Sequence, residues 1–223
     1  MVIPKGDHVF GPGLRQRAPL HPTSCGHIMR SMVPREPVKR RRRKRYDVPG
    51  HAHYLTFSCW RNQPLLARER PRAWLLESLD AARGVHRFDL WAWVIMPEHV
   101  HLLLLPADGV GVGAILRSVK QPVAKAAVSW VRQHRPQWLP RMLDLQPSGR
   151  RAYRFWQPGG GYDRNLWTPQ ELREKIDYIH ANPVRRGLVE HPRDWPWSSY
   201  RAWQEGTEEP LRIDRHSLPP LEP

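Results

Sequence analysis

The stretch Met96-Pro97-Glu98-His99-Val100-His101-Leu102-Leu103-Leu104-Leu105 decides the fold, because it joins a turn signal to a long apolar run. A second apolar segment, residues 88–96, precedes it. Two apolar runs separated by a proline and a glutamate predict two antiparallel strands joined by a tight turn. Side chains alternate across a strand, so His99 and His101 should share one face while their neighbours pack on the other.

Two histidines that converge on a rigid strand are a candidate metal site, because imidazole nitrogens are common ligands of divalent ions. The spacing alone is weak support, since His-x-His pairs arise often by chance and most bind nothing. A second pair with the same spacing, His51-Ala52-His53, stands at the start of the apolar run that follows Gly50. That pair is more typical of a strand entrance than of a metal site.

A second group of polar residues lies on a predicted helix that begins at Thr168. Thr168 is followed by a proline and, three residues on, by a glutamate, which is a strong helix start. Pro183 disfavours helical geometry in the residue before it, so the helix should end near Ala181 or Asn182.

The periodicity of this helix separates its core stripe from its functional stripe. Leu172, Ile176 and Ile179 share one narrow face and should be the core stripe. Tyr178 and Asn182 stand one turn apart on a different stripe, away from that core. The phenol of Tyr178 is a candidate nucleophile, and Lys175 is a candidate helper, although a solvated helix lysine is the simpler reading.

The two blocks together resemble a known family. Met96–Leu103 and Tyr178–Val189 are similar to the signature blocks of the small HUH single-tyrosine transposases. The second block, with Trp195–Tyr200 behind it, most resembles the REP-associated tyrosine transposases, which are bacterial proteins. The resemblance runs over residues 53–203, roughly two thirds of the chain.

This resemblance implies a fold, a reaction and a set of site residues. The fold is the α+β HUH endonuclease fold, a ferredoxin-like antiparallel sheet (split βαβ) with packed helices. His99 and His101 match metal ligands, Asn182 matches a third ligand, Tyr178 matches the nucleophile, and Mg²⁺ or Mn²⁺ is the expected cofactor. The family cleaves single-stranded DNA beside palindromic hairpins, leaving a 5′-phosphotyrosine and a free 3′-hydroxyl that permits rejoining. The expected state is a monomer or homodimer, and Glu98 stands where many relatives have asparagine.

The charge of the chain fits a polyanionic partner. It has 36 Lys+Arg against 21 Asp+Glu, for a net charge of +15. Such a balance favours nucleic acid through steering and counterion release. The predicted DNA contacts are Lys120, Lys125, Lys175, Arg185 and Arg186, together with the run Lys39, Arg40, Arg41, Arg42, Arg43, Lys44 and Arg45.

The predicted organisation is one domain with two extensions: a disordered basic arm (1–48), the transposase domain (49–205) and a C-terminal tail (206–223). The predicted elements are a strand at 53–60, a helix at 67–84, the two strands around Pro97, a helix at 112–134, a short strand at 154–157 and the tyrosine helix. Cys25 and Cys59 show neither zinc-finger nor disulfide-framework spacing. The cysteines therefore predict a reduced, cytoplasmic protein, and no apolar run approaches the length of a membrane span. The family resemblance implies that the protein is bacterial and associated with the nucleoid.

Other functions remain open from the sequence. One is a domesticated hairpin-binding protein whose catalysis has lapsed, and another is an RNA-binding protein or ribonuclease. Tyr162 is an alternative nucleophile beside the Gly159-Gly160-Gly161 loop, whose backbone is a candidate phosphate contact. Tyr162 lacks an amide side chain four residues on, which favours Tyr178.

Overall fold

The computed structural model describes residues 47–221, so the predictions for Lys39–Arg45 and for nearly all of the N-terminal arm lie outside the described residues. The strands are β1 (Ala52–Ser58), β2 (Asp89–Ile95), β3 (His99–Leu105), β4 (Leu143–Leu145), β5 (Arg151–Tyr153) and β6 (Tyr162–Leu166). The helices are α1 (Glu69–His86), α2 (Val112–His134), α3 (Leu139–Met142), α4 (Pro169–Arg185) and α5 (Tyr200–Glu205). Short 3₁₀ turns lie at Trp60–Asn62, Pro136–Trp138, Pro192–Asp194 and Arg215–Ser217.

The main sheet has four antiparallel strands in the order β2-β3-β1-β6. Strands β1 and β2 are connected through α1 and are separated in the sheet by β3, which is the split βαβ arrangement. The predicted α+β fold with an antiparallel sheet and packed helices is confirmed.

Apolar side chains cover both faces of this sheet. One face packs against α1 and α2 through residues that include Leu55, Phe57 and Leu102. The other face packs against α4, whose predicted core stripe of Leu172, Ile176 and Ile179 is buried there. Because His99 and His101 alternate with Val100 and Leu102, the histidine face is the one that α4 covers.

The prediction for the fourth strand was wrong. The segment 154–157 makes only an isolated bridge between Trp156 and Cys59, and the strand is Tyr162–Leu166 instead. This edge strand is largely polar, so it has little apolar alternation for sequence reasoning to detect. Gly161, at φ +79°, leads into it, and a Cβ there would lie 2.0 Å from the carbonyl oxygen of Thr56. The glycine therefore permits close contact with the backbone of β1.

The predicted end of the tyrosine helix was also wrong. Helix α4 continues through Pro183 to Arg185. Proline lacks the N–H that would bond back to Ile179, but Pro183 is buried and its carbonyl accepts the N–H of Leu188 at 2.9 Å. Tertiary packing thus outweighs the local preference of the residue before a proline. Helix α2 likewise runs through Pro122.

The segment that follows α4 is hydrogen-bonded to β2 through two tryptophan side chains. The ring N–H groups of Trp195 and Trp203 donate to the carbonyls of Ile95 and Trp91, at 3.1 and 2.8 Å. In the predicted C-terminal tail, Leu211 is buried and Asp214 accepts the backbone N–H of Leu90 at 2.9 Å. Among residues 47–221, no helix is both long and apolar enough to cross a membrane.

Candidate functional site

The two histidines of β3 meet on the face that α4 covers. The Nε2 atoms of His99 and His101 are 3.0 Å apart, and the ring planes are nearly perpendicular. His101 is 5% exposed, since it lies on a strand paired on both sides. The convergence predicted from the His-x-His spacing is present.

The opposite nitrogen of each ring is held by a different kind of partner. His99 Nδ1 lies 3.2 Å from Glu98 Oε1, and since a carboxylate only accepts, Nδ1 carries the proton and Nε2 is bare. His101 Nδ1 lies 2.8 Å from both the Tyr54 hydroxyl and Thr56 Oγ1. Hydroxyls both donate and accept, so His101 is able to present a bare Nε2 as well.

Burial keeps these groups neutral. It lowers the pKa of His101 to about 3, aided by the neighbouring His99. Burial also lowers the pKa of His99, although Glu98 opposes that shift. The pKa of Tyr54 is raised to about 12 by burial, so its hydroxyl stays protonated. Neutral imidazoles are the form that binds metal.

Asn182 completes the cluster from α4. Its Nδ2 lies 3.0 Å from His101 Nε2, and the side chain is 5% exposed. The sequence predicted that the stripe of Tyr178 and Asn182 lies away from the core. For Asn182 that prediction was wrong, because this side chain is buried. Helix α4 packs against β2 and β3, and Asn182, in its last turns, contacts His101 of β3. Rotation of the amide by half a turn presents Oδ1 at the same position, as a neutral oxygen ligand.

The chemistry of these side chains would suit a divalent ion. His99 and His101 would offer imidazole nitrogens and Asn182 an amide oxygen, and divalent ions accept both kinds of ligand. Within the described part of the chain, no group of three or more His, Cys, Asp or Glu side chains forms a metal site. The candidate set has two imidazoles and one amide, so it carries little charge.

Tyr178 lies beside this cluster. Its ring centroid is 5.7 Å from that of His101, and the ring is half-buried. Lys175 Nζ lies 5.5 Å from the centre of the phenol ring, and the guanidinium carbon of Arg185 lies 5.1 Å from it. Two predicted cationic residues thus flank the predicted nucleophile.

Arg186 and Glu98 close one side of the site. Arg186 donates to Glu98 Oε1 at 2.6 Å, and Glu98 in turn holds His99. An open depression of about 490 Å³ adjoins this pair and is lined by Ser58, Asn62, Pro64, Glu98, His99 and Arg186. Among His99, His101, Tyr178 and Asn182, the residue that lines this depression is His99.

The other predicted residues lie apart from this cluster. Lys120 and Lys125 are on α2, which covers the opposite face of the sheet, and Lys120 donates to the carbonyl of Gly159 at 2.9 Å. His53 contacts Asp163 at 2.8 Å, and His51 stacks on Trp167 at 5.2 Å between ring centroids. These contacts fit the interpretation of His51 and His53 as residues at the start of a strand.

Sequence reasoning missed two site residues. Tyr54 and Thr56 project from β1 towards His101 because Thr56 pairs with His101 in the sheet register. Their i, i+2 spacing was visible in the sequence, but the register that places them opposite His101 was not.

Comparison with known proteins shows that this chain is similar to REP-associated tyrosine transposases in sequence and in fold. The chain is 24% identical over 158 residues to the REP-associated tyrosine transposase of Escherichia coli, covering 70% of this chain and 81% of that protein. A Haemophilus influenzae protein provisionally given the same name is 26% identical over 148 residues, covering 61% and 76% of the two chains. No family model matches the sequence.

A solved structure shares the fold. It is a REP-associated tyrosine transposase bound to a REP hairpin, and it superposes with a TM-score of 0.57 at 23% identity, covering 73% of this chain and 85% of that one. The predicted resemblance to the REP-associated tyrosine transposases is confirmed.

Proposed function

We propose that this chain is a metal-dependent single-stranded DNA endonuclease and strand transferase that acts beside palindromic hairpins through Tyr178. One observation carries the proposal: residues about 80 positions apart in sequence, on β3 and α4, converge on one cluster. His101 touches Asn182 at 3.0 Å, and its ring lies 5.7 Å from that of Tyr178. A protein that only binds hairpins has no need of this convergence.

The reaction is a transesterification at a phosphodiester. The Tyr178 oxygen attacks phosphorus, a tyrosine O–P bond forms, and the P–O3′ bond breaks. The phenol proton passes to solvent or a base, and the departing 3′-oxygen takes up a proton to become a hydroxyl. Attack by a second 3′-hydroxyl on the phosphotyrosine reverses these steps and joins the strands, so no nucleotide cofactor is consumed.

The cations beside Tyr178 assist this step. Lys175 Nζ and the Arg185 guanidinium carbon lie 5.5 and 5.1 Å from the centre of the Tyr178 ring, where their positive charges would offset the charge of a phosphate brought to the phenol. Arg186, held by Glu98, adds a third cation at the rim of the depression.

His99, His101 and Asn182 would hold Mg²⁺ or Mn²⁺. Such an ion supplies Lewis-acid polarisation of the scissile phosphate when bound. Glu98 and the hydroxyls of Tyr54 and Thr56 orient the two imidazoles, which is the usual role of groups behind metal ligands.

The proposed partner is single-stranded DNA that folds into a hairpin. The relative whose structure shares this fold was solved with a REP hairpin. The net charge of +15 suits a DNA partner. The exposed Lys125 and the segment Lys39–Arg45 remain predicted contacts for the flanking DNA.

The test is formation of a covalent protein–DNA adduct. Labelled single-stranded DNA carrying a palindrome from the flanks of the gene is incubated with the full chain and Mn²⁺, then run on a denaturing gel. We expect an adduct with the wild-type protein and none with Tyr178→Phe or with EDTA. Tyr162→Phe is the matched control, because Tyr162 lies 6.0 Å from Tyr54 on the same face and should retain the adduct.

Two outcomes would contradict the proposal. Tight hairpin binding without any adduct would favour a protein whose catalysis has lapsed. Stronger binding of the ribo-hairpin than of the deoxy-hairpin of the same sequence would favour an RNA-binding protein.

A further inference from the structure

A second surface rich in arginine lies beside the candidate site. Strands β4 and β5 form a separate two-stranded sheet whose connecting residues 147–150 are exposed. Residues 132–154 contain six arginines and one acidic residue, Asp144, which is paired with Arg154. Arg150 and Arg151 are exposed, and neither forms an ion pair with any residue between 47 and 221.

Aromatic rings are exposed among these arginines. Trp138 is 45% exposed and Tyr153 is 37% exposed. The guanidinium carbon of Arg141 lies 4.4 Å from the centre of the Trp138 ring, and that of Arg132 lies 5.3 Å from the Tyr153 ring. We call Arg132, Trp138, Arg141, Arg150, Arg151 and Tyr153 the arginine–aromatic surface.

This surface is connected directly to the rim of the site. The backbone N–H of Trp60 donates to the carbonyl of Phe155 at 2.8 Å, just after β5. Gln63 donates to the carbonyl of Arg141 at 2.9 Å. Trp60 and Gln63 flank Asn62, which lines the depression beside His99. The short segment 60–63 therefore borders both the depression and the arginine–aromatic surface.

We infer that the arginine–aromatic surface binds unpaired DNA that flanks the hairpin at the cleavage point. Exposed aromatic rings stack on unpaired bases without sequence preference, and arginines neutralise the phosphates between them. The same surface on a second copy of the chain would be repelled, since the excess charge is positive on both. Bases within a duplex do not offer their faces to the rings, so a single strand suits the surface better than the stem. This inference rests on the proposed function for the identity of the DNA.

The experiment compares two DNAs and three variants of the full chain. One DNA is a hairpin with unpaired flanks, and the other is the same stem without them. The variants are Trp138→Ala, the double variant Arg150→Ala/Arg151→Ala, and a control double variant, Arg117→Ala/Arg212→Ala, which removes two exposed arginines outside the surface. Affinity is measured by fluorescence anisotropy over a range of salt concentrations, without metal so that no strand is cut.

We expect Trp138→Ala to weaken binding of the flanked hairpin about tenfold, the usual effect of losing one stacked base. The Arg150/Arg151 variant should reduce the slope of log affinity against log salt by about 0.7 for each lost phosphate contact. Neither change should alter binding of the flankless stem, and the control variant should bind both DNAs as wild type does. Arg150 lies in the exposed turn and Arg151 is the exposed first residue of β5, so that variant keeps the test valid even when Trp138→Ala does not fold.

Unchanged affinity and salt slope in both variants would overturn the inference. An equal loss on the flankless stem would assign the surface to duplex DNA and overturn it as well. The inference would also be overturned if the wild-type protein bound the flanked hairpin no more tightly than the flankless stem. Failure of the proposed catalysis is a separate result, because it appears as a missing adduct with the flank preference intact.

Discussion

Replacing Glu98 with glutamine should weaken metal binding at the candidate site. The carboxylate holds His99 Nδ1 at 3.2 Å and raises the electron density available at Nε2, against the burial that lowers the pKa of the ring. Loss of such a group behind a ligand costs about 10- to 100-fold in metal affinity. Here Arg186 lies 2.6 Å from the same oxygen and neutralises part of the charge, so we expect the lower end, about tenfold, or about 1.4 kcal/mol.

The assay is titration of the DNA-free protein with Mn²⁺, with free Mn²⁺ followed by its paramagnetic resonance signal. Arg186→Gln is the matched control, since it removes the other half of the ion pair and leaves the carboxylate on His99. We expect Glu98→Gln to weaken binding and Arg186→Gln to preserve or strengthen it. Equal Mn²⁺ affinity in wild type and Glu98→Gln would refute the role given to the carboxylate, and equal weakening by both variants would assign the effect to the ion pair instead.

Two further predictions concern stability. Burial lowers the pKa of His180 to about 4, from 6.5 in an unfolded chain, so the unfolded state binds more protons between these values. The free energy of unfolding should therefore fall as the pH drops from about 6.5 to about 4, and His180 should account for on the order of 3 kcal/mol of that fall. Urea titrations at pH 7 and pH 4.5 measure this change. The His180→Gln variant should lose less stability between the two pH values. Gly161→Ala should destabilise the protein by about 2 kcal/mol or more, because residue 161 has a left-handed backbone conformation and its new Cβ would clash with the carbonyl of Thr56. The control for the clash is Gly159→Ala, measured in the same urea titration. Gly159 has a similar φ, but a Cβ there would have no atom within 4 Å.

Much of this site was predictable because its two halves have strong local patterns. The apolar run of β3 predicted a strand, and in a strand His99 and His101 share one face. The capping signal at Thr168 predicted where α4 begins. Thr168 does accept the N–H of Glu171, at 3.2 Å, as that signal requires. The relation between the two halves was supplied by the family resemblance rather than by local pattern.

The rest depended on long-range packing. The polar strand β6 is recognisable only once β1 is in place to pair with it. The continuation of α4 through Pro183 depends on the burial of this proline, which cannot be inferred from local sequence preferences. Thr56 opposite His101 is a matter of strand register, and a shift of one residue would have turned it to the other face.

The position of Asn182 on the same helix as Tyr178 has a consequence for how the site can move. Strand β3 is paired on both sides, so a local opening that displaces the two histidines must break backbone hydrogen bonds to two neighbouring strands. Helix α4 packs on the sheet through apolar side chains, and it carries Tyr178, the proposed nucleophile, and Asn182 one turn apart. A displacement of α4 that removes Tyr178 from the cluster removes Asn182 with it. In the proposed mechanism, the third metal ligand would therefore be available only while the proposed nucleophile is in place. Without α4, the histidine pair would keep two of the three proposed ligands.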